Sequence, residues 1–179
     1  IELRLKESNT KYIICDDTQL PKLEPVAREA KTNLNVIVVT APKKEIPIWC
    51  SAWNSYLSNK KQEKYPILNW QSPFIHIFTS GTTGHPKGVV LPVKALATLH
   101  AYAEFGLDLR SDDIFWNAAD PGWAYGLFCG IIVSLVTGIP SILLKGSFNP
   151  DLTVSILENH RVTNFTAAPT VYRACLLYT

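Results

Sequence analysis

The fold is decided by the stretch 74–91, which reads FIHIFTSGTTGHPKGVVL. Apolar runs on either side of its polar middle predict two strands joined by a loop. Glycines let successive backbone N–H groups converge on one anion, hydroxyl groups add donors, and a lysine brings a mobile positive charge. The sequence therefore predicts a loop that binds phosphate groups. The predicted phosphate-binding residues are Thr79, Ser80, Gly81, Thr82, Thr83, Gly84 and Lys87.

Two familiar phosphate loops do not fit this spacing. A Walker A loop places its lysine directly after a glycine and before a hydroxyl residue, whereas Lys87 follows Pro86 and precedes Gly88. The dinucleotide fingerprint Gly-x-Gly-x-x-Gly does not occur in the stretch either. A surface hairpin without a ligand stays open as the alternative on composition alone.

Outward from this stretch, apolar runs and helical periodicity alternate along the chain. We predict strands at 12–15, 36–39, 74–78, 89–91, 114–117, 141–144 and 164–167, and helices at 21–32, 46–57, 92–106, 124–137, 149–160 and 169–177. A strand, a helix and a strand in succession imply a right-handed parallel crossover. The fold class is therefore α/β, doubly wound, with mostly parallel sheets flanked by helices and ligands beyond the carboxyl ends of the strands.

The stretch 124–144 carries no formal charge over 21 residues, long enough in principle to cross a membrane. Gly138 and Pro140 break it into a helix and a strand that suit a buried α/β interior. We therefore predict no membrane span. A net charge of +2 gives no reason to expect nucleic acid as a partner.

Four widely spaced cysteines and no visible secretory leader favour reduced thiols and a cytoplasmic protein. The four histidines are equally scattered, so no metal site is predicted from them. Methionine is absent even at position 1. We therefore expect the chain to be a fragment whose activity belongs to a longer parent protein.

The run from Phe78 to Gly88 resembles the signature loop of the adenylate-forming (AMP-binding) enzymes. Two later stretches, 119–123 and 168–173, resemble the acetyl-CoA synthetase and medium-chain acyl-CoA synthetase branch. The resemblance implies a partial N-terminal domain over 1–179, with an α/β segment at 1–70 and the phosphate loop and acyl-pocket segment at 71–179. It implies that the loop wraps the phosphates of ATP.

The same resemblance implies that one wall of an acyl pocket, and the approach of the coenzyme A thiol, are formed by Trp123, Ala124, Tyr125 and Gly126. It also aligns Asn149 with a residue that contacts coenzyme A. In the acetate enzymes a small Val-Thr pair follows the tryptophan, so Ala124 and Tyr125 depart from that pattern and leave the acid open. Trp123 and Tyr125 also fit core aromatics, and Asn149 also fits a helix N-cap.

The implied parent is a ligase that activates a short- or medium-chain carboxylic acid with ATP and Mg²⁺ and passes the acyl group to coenzyme A. The family's magnesium-binding glutamate, ribose-binding aspartate and adenylation lysine fall beyond Thr179, so no catalytic residue and no metal ligand is assigned here. An adenylation domain that loads a carrier protein and a non-catalytic nucleotide-binding remnant remain as alternatives.

Overall fold

The computed structural model describes residues 1–28, 34–40, 44–58, 67–80 and 85–177. Two compact units are present, one built from 1–69 and 73–91 and the other from 70–72 and 92–179. The strands are β1 (Tyr12–Asp16), β2 (Asn35–Val39), β3 (Cys50–Ala52), β4 (Pro73–Thr79), β5 (Lys87–Pro92), β6 (Phe115–Asn117), β7 (Ser141–Ile142) and β8 (Asn164–Thr166). The α-helices are α1 (Glu2–Glu7), α2 (Leu20–Ala27), α3 (Trp53–Ser58), α4 (Ala95–Phe105), α5 (Val133–Thr137), α6 (Pro150–Asn159) and α7 (Pro169–Leu177).

The first unit contains a three-stranded parallel sheet in the order β1-β2-β3. Val36 and Val38 of β2 are fully buried and pack against Leu23 of α2. β-branched side chains suit this central strand because it is covered by neighbours. The predicted parallel crossover from β1 through α2 to β2 is confirmed.

One sequence prediction fails in this unit. The apolar stretch 46–57 was expected to be a single amphipathic helix, but Cys50–Ala52 is a strand and the helix begins only at Trp53. Parallel pairing with β2, in which Cys50 lies opposite Val36, satisfies the backbone there. Trp49 therefore precedes β3 rather than lying on the helix, and its ring packs against the β2 core.

β4 and β5 form a separate two-stranded sheet in the same unit. Only residues 80–86 join these strands, so they form a hairpin, because parallel strands need a much longer crossover. Both strands were predicted from the apolar runs around the phosphate loop. Gly81, Thr82, Thr83 and Gly84 lie outside the described residues.

The second unit contains a parallel sheet in the order β7-β6-β8. The central strand β6 is buried along its whole length, and Phe115 packs in a core with Ala103 of α4 and Val133 of α5. Trp116 lies on the ring of Phe165 in β8, with ring centres 5.1 Å apart. The predicted doubly wound α/β character with mostly parallel sheets is confirmed for this part of the chain.

The helix predicted at 124–137 is present, but its first half is a π-helix over Gly126–Ile132 that passes into α5. It ends at Gly138, whose φ of 74° is the left-handed conformation that glycine adopts without strain. In the described residues, no helix combines the length and the hydropathy needed to span a bilayer.

Candidate functional site

The phosphate-loop hairpin carries its polar groups at the point where β4 ends and β5 begins. Thr79 is the last residue of β4, Ser80 follows it, and Lys87 opens β5. All three side chains are exposed. The Thr79 hydroxyl donates a long hydrogen bond, 3.5 Å, to the carbonyl oxygen of Lys87. Lys87 forms no ion pair with any residue in the described part of the chain. The lysine is therefore free to meet an anion.

A histidine that the sequence analysis did not single out packs across this hairpin. His76 of β4 stacks on Phe78, with ring centres 4.7 Å apart. A β-carbon on Gly88 would lie 2.1 Å from Nε2 of His76. Gly88 thus has a packing role, because its missing side chain leaves room for the imidazole directly after Lys87.

The second group of polar side chains lies at the carboxyl ends of β6 and β8. The buried Asn117 ends β6, and its Nδ2 donates to Oγ1 of Thr166 at the end of β8, at 2.8 Å. Asn117 Oδ1 accepts from the Ala119 N–H at 2.9 Å. The backbone of Ala118 also donates to the Thr166 carbonyl at 2.9 Å. These bonds fix the start of the segment 118–126 on the edge of the sheet.

The turn that follows is held by Asp120. Its Oδ1 accepts from the Gly122 N–H at 2.7 Å, and its carbonyl accepts from the Trp123 N–H at 3.0 Å. Gly126 packs directly against this carbonyl, since an added β-carbon would be 2.1 Å from the Asp120 oxygen. The π-helix begins here, and such helices are frequent at functional sites.

Both predicted pocket aromatics are exposed. Trp123 is 72% exposed and Tyr125 is 40% exposed, so Trp123 is not part of the hydrophobic core of this unit. Ala124 is exposed as well, whereas Gly126 is buried beneath the turn. Burial raises the pKa of the Tyr125 phenol, and a hydrogen bond from the Thr166 side chain partly offsets that rise. Tyr125 therefore stays protonated at neutral pH.

Asn149 forms the N-cap that the sequence suggested. Its Oδ1 accepts from the Leu152 N–H at 2.8 Å, and Pro150 takes the first helical position. This geometry accounts for the residue as a helix cap. It leaves the amide nitrogen of the side chain without a role in the cap.

A family model described as AMP-binding enzyme matches the chain over residues 1–179. The chain belongs to the AMP-binding enzyme family. It is 30% identical to the acetyl-coenzyme A synthetase of Pyrobaculum aerophilum, in an alignment that covers 98% of this chain and 29% of that protein. A crystal structure of an acyl-CoA synthetase from Brucella canis superposes with a TM-score of 0.87 at 34% identity, over 99% of this chain and 32% of that one.

The fold is also shared with ATP-bound MatB from Rhodopseudomonas palustris, at 20% identity and a TM-score of 0.76, over 98% of this chain and 33% of that one. The chain thus spans about a third of the length of the acyl-CoA and acetyl-CoA synthetases that it matches. The matched proteins are named as acetyl-CoA and acyl-CoA synthetases, which agrees with the resemblance of the stretches 78–88 and 119–123.

The four cysteines of the chain are free thiols. Burial raises the pKa of Cys129, and it does the same for Cys15 and Cys50, so none of these thiols is activated as a nucleophile. Within the described ranges, no three His, Cys, Asp or Glu side chains are grouped closely enough to hold a metal ion.

A cleft of about 550 Å³ near His100 has the buried Ala103, Leu109 and Ile139 among its lining residues.

Asn117 and Thr166 were missed as site residues by the sequence analysis. Asn117 closes the apolar run 114–116, and Thr166 is the last residue of the short strand Asn164–Thr166. Because the carboxyl ends of neighbouring parallel strands meet at one edge of a sheet, this placement was a usable signal. What the sequence did not show was that β6 and β8 are neighbours.

Proposed function

We propose that the whole protein is an ATP-dependent acyl-CoA synthetase that activates a short- or medium-chain carboxylic acid. In the first step, a carboxylate oxygen attacks the α-phosphorus of ATP, the bond to the β-phosphate oxygen breaks, and acyl-AMP and pyrophosphate form. In the second, the thiol of coenzyme A attacks the acyl carbonyl, its proton is lost, and AMP leaves. The single observation that supports this most is the exposed set Thr79, Ser80 and Lys87 around the family's phosphate loop.

The phosphate-loop residues would contribute by holding charge. A carboxylate is a poor acyl donor because its leaving group would be oxide, and adenylation replaces that group with AMP. Pyrophosphate departs with several negative oxygens, and hydroxyl donors with a free ammonium group can stabilise them as the bond breaks. Lys87 is suited to this role because it forms no ion pair in the described chain.

Trp123, Ala124, Tyr125 and Gly126 would line one wall of the acyl pocket, and Asn149 would lie on the approach of coenzyme A. The exposed aromatic rings of Trp123 and Tyr125 support this assignment, since apolar walls suit an acyl chain. Mg²⁺ commonly offsets phosphate charge in such reactions. No residue of this chain is assigned as a ligand of Mg²⁺, and no step is assigned to the metal here. A cytoplasmic location belongs to the same proposal.

The proposal is tested by acid-dependent exchange of pyrophosphate into ATP, with the protein expressed from its complete reading frame and a panel of short- and medium-chain acids. Lys87→Met should lower kcat/KM for ATP by about 10- to 100-fold, because a hydrogen bond to a charged group is worth about 1.5–3 kcal/mol. Lys94→Met is the matched control, since Lys94 is another exposed lysine, placed at the start of α4.

The outcomes separate the alternatives. Exchange together with acyl-CoA formation supports the proposal. Exchange without transfer to coenzyme A would instead indicate an adenylating domain that serves a carrier protein. ATP binding with no exchange for any acid would leave a non-catalytic nucleotide-binding protein, and an equal loss in the Lys87 and Lys94 variants would remove the assigned role of the loop lysine.

A further inference from the structure

The cleft of about 550 Å³ lies within the second unit, beside the amino ends of β6 and β7. Asp112, one of its lining residues, comes shortly before β6, and Ile139, another, comes shortly before β7. Because these strands are parallel to each other and to β8, the cleft is at the opposite edge of the sheet from Asn117 and Thr166. Its volume is in the range of pockets that hold small organic molecules.

The loop on one side of the cleft, residues 106–113, is held in place by its own hydrogen bonds. The Leu109 N–H donates to the Ala103 carbonyl oxygen at 2.9 Å, which ties the loop to α4. The Arg110 N–H donates to the Asp113 carboxylate at 2.7 Å, which ties the loop to the start of β6. The cleft is therefore formed in advance, and a ligand does not have to order the loop in order to bind.

The lining of the cleft combines buried apolar residues with exposed charged ones. Its apolar floor consists of the buried Ala103, Leu109 and Ile139. Three carboxylates and one guanidinium group surround this floor, and they belong to Glu104, Asp108, Arg110 and Asp112. The guanidinium group is already paired, because Nη2 of Arg110 lies 2.7 Å from Oδ1 of Asp108.

Glu104 and Asp112 are left as the free rim carboxylates of the cleft. Neither forms an ion pair with any residue that the structure describes. Over those same residues, no acidic, histidine and cysteine side chains are grouped closely enough to hold a metal ion. The charge of the cleft therefore calls for a cation, and the spread of its carboxylates together with the apolar floor calls for an organic one.

We propose that this cleft binds an aliphatic amine in its ammonium form, with the ammonium group at Glu104 and Asp112 and the alkyl chain on the apolar floor. A carboxylic acid or a phosphate is disfavoured, because the free rim carboxylates repel an anion. A small hydrated cation is disfavoured as well, because only a ligand with alkyl groups gains from removing the floor from water. The amine site is additional to the proposed synthetase function and does not depend on it.

Saturation-transfer NMR titrations test the proposal with hexylamine as the probe and the protein expressed from its complete reading frame. Hexylamine should bind saturably, and hexanol, which has the same chain without the charge, should bind at least about threefold more weakly. Propylamine should bind at least about fivefold more weakly than hexylamine, because its shorter chain covers less of the apolar floor. Raising the ionic strength should weaken the binding of both amines and leave that of hexanol unchanged.

Glu104→Gln and Asp112→Asn each remove one rim charge at nearly constant shape. Both residues are exposed, so the variants should fold, and thermal unfolding without ligand checks this. Each substitution should weaken the binding of hexylamine by about threefold to fivefold and leave that of hexanol unchanged. Glu158→Gln is the matched control, because Glu158 is another exposed glutamate on a helix, α6, and is not among the lining residues of the cleft.

Three results would overturn the amine site. They are the absence of saturable hexylamine binding to the complete protein, binding no tighter than that of hexanol, and an affinity for hexylamine that falls as much in Glu158→Gln as in the two rim variants. None of these results bears on the proposed function, because pyrophosphate exchange is measured without an amine. Conversely, a failure of exchange with every acid would leave the amine site as it stands.

Discussion

Replacing Gly126 by alanine should show how tightly the turn 120–126 is packed. Gly126 opens the π-helix, and its position faces the peptide that leads into the turn. An added β-carbon would lie 2.1 Å from the Asp120 oxygen, 2.5 Å from the Asp120 carbonyl carbon and 2.8 Å from the Ala119 oxygen. All three atoms belong to the backbone, so no side-chain rotation relieves the clash.

The expected change in the free energy of unfolding is the difference between two opposing effects. Forcing extra volume into a packed site costs about 1–3 kcal/mol, and a backbone contact this short calls for the upper end. Alanine gains about 0.4–1 kcal/mol over glycine by restricting the unfolded chain. Gly126→Ala should therefore lower the free energy of unfolding by about 2 kcal/mol. The displaced Asp120 carbonyl also anchors the Trp123 N–H, so the aromatic wall should move with it.

Gly130→Ala is the matched control, because Gly130 lies in the same π-helix and its added β-carbon would meet the Asn117 β-carbon at 3.5 Å, an ordinary contact. This variant should be neutral, or more stable by up to about 1 kcal/mol. Urea unfolding followed by tryptophan fluorescence measures both variants. If Gly126→Ala unfolds at the same urea concentration as Gly130→Ala, the packing argument for the turn is wrong.

Two further predictions concern stability and the approach of coenzyme A. Partial burial acts to raise the pKa of Asp113, but hydrogen bonds from the Thr163 hydroxyl, the Arg110 N–H and Asn164 outweigh it and hold the pKa below its usual range. Asp113→Asn should therefore lower the free energy of unfolding at pH 7. The difference from the unchanged protein should vanish as the pH falls through the lowered folded-state pKa. Urea titrations measure this, and an equal loss of stability at pH 7 and at about pH 2 would contradict it. Asn149→Ser keeps the helix cap and removes the amide, so it should change stability by less than about 0.5 kcal/mol, whereas Asn149→Ala should lose about 1 kcal/mol; a raised KM for coenzyme A in both variants would support the coenzyme A contact, and an unchanged KM would leave Asn149 as a cap alone.

Features that are determined by residues close together in the chain were predicted correctly. The apolar runs around the phosphate loop predicted β4 and β5, and Asn149 with Pro150 predicted the start of α6 because capping is decided within a few residues. The helix that begins after Trp123 was also predicted, although its π-helical first half was not. Helical periodicity does not distinguish the two forms over so short a stretch.

Features that depend on distant pairing were not predictable in the same way. The strand Cys50–Ala52 exists because it pairs with β2, and a short apolar run can fit a helix equally well without that partner. The contact between Asn117 and Thr166 joins residues 49 positions apart. Both cases concern which strands are neighbours, and a single sequence does not state that order.

The two ends of the second unit's sheet are built for different purposes, and this contrast supports the location of the site independently of any motif. At the amino ends of β6 and β8, Asp113 accepts from Thr163 at 2.6 Å, and the Thr163 oxygen in turn accepts from the Ile114 N–H at 2.9 Å. That end is closed by its own hydrogen bonds. At the carboxyl ends, Asn117 donates to Thr166 at 2.8 Å, and the turn that follows β6 carries the exposed side chains of Trp123 and Tyr125. Ligands of parallel α/β sheets bind where the strands end, so the open end is the one expected to meet the acid.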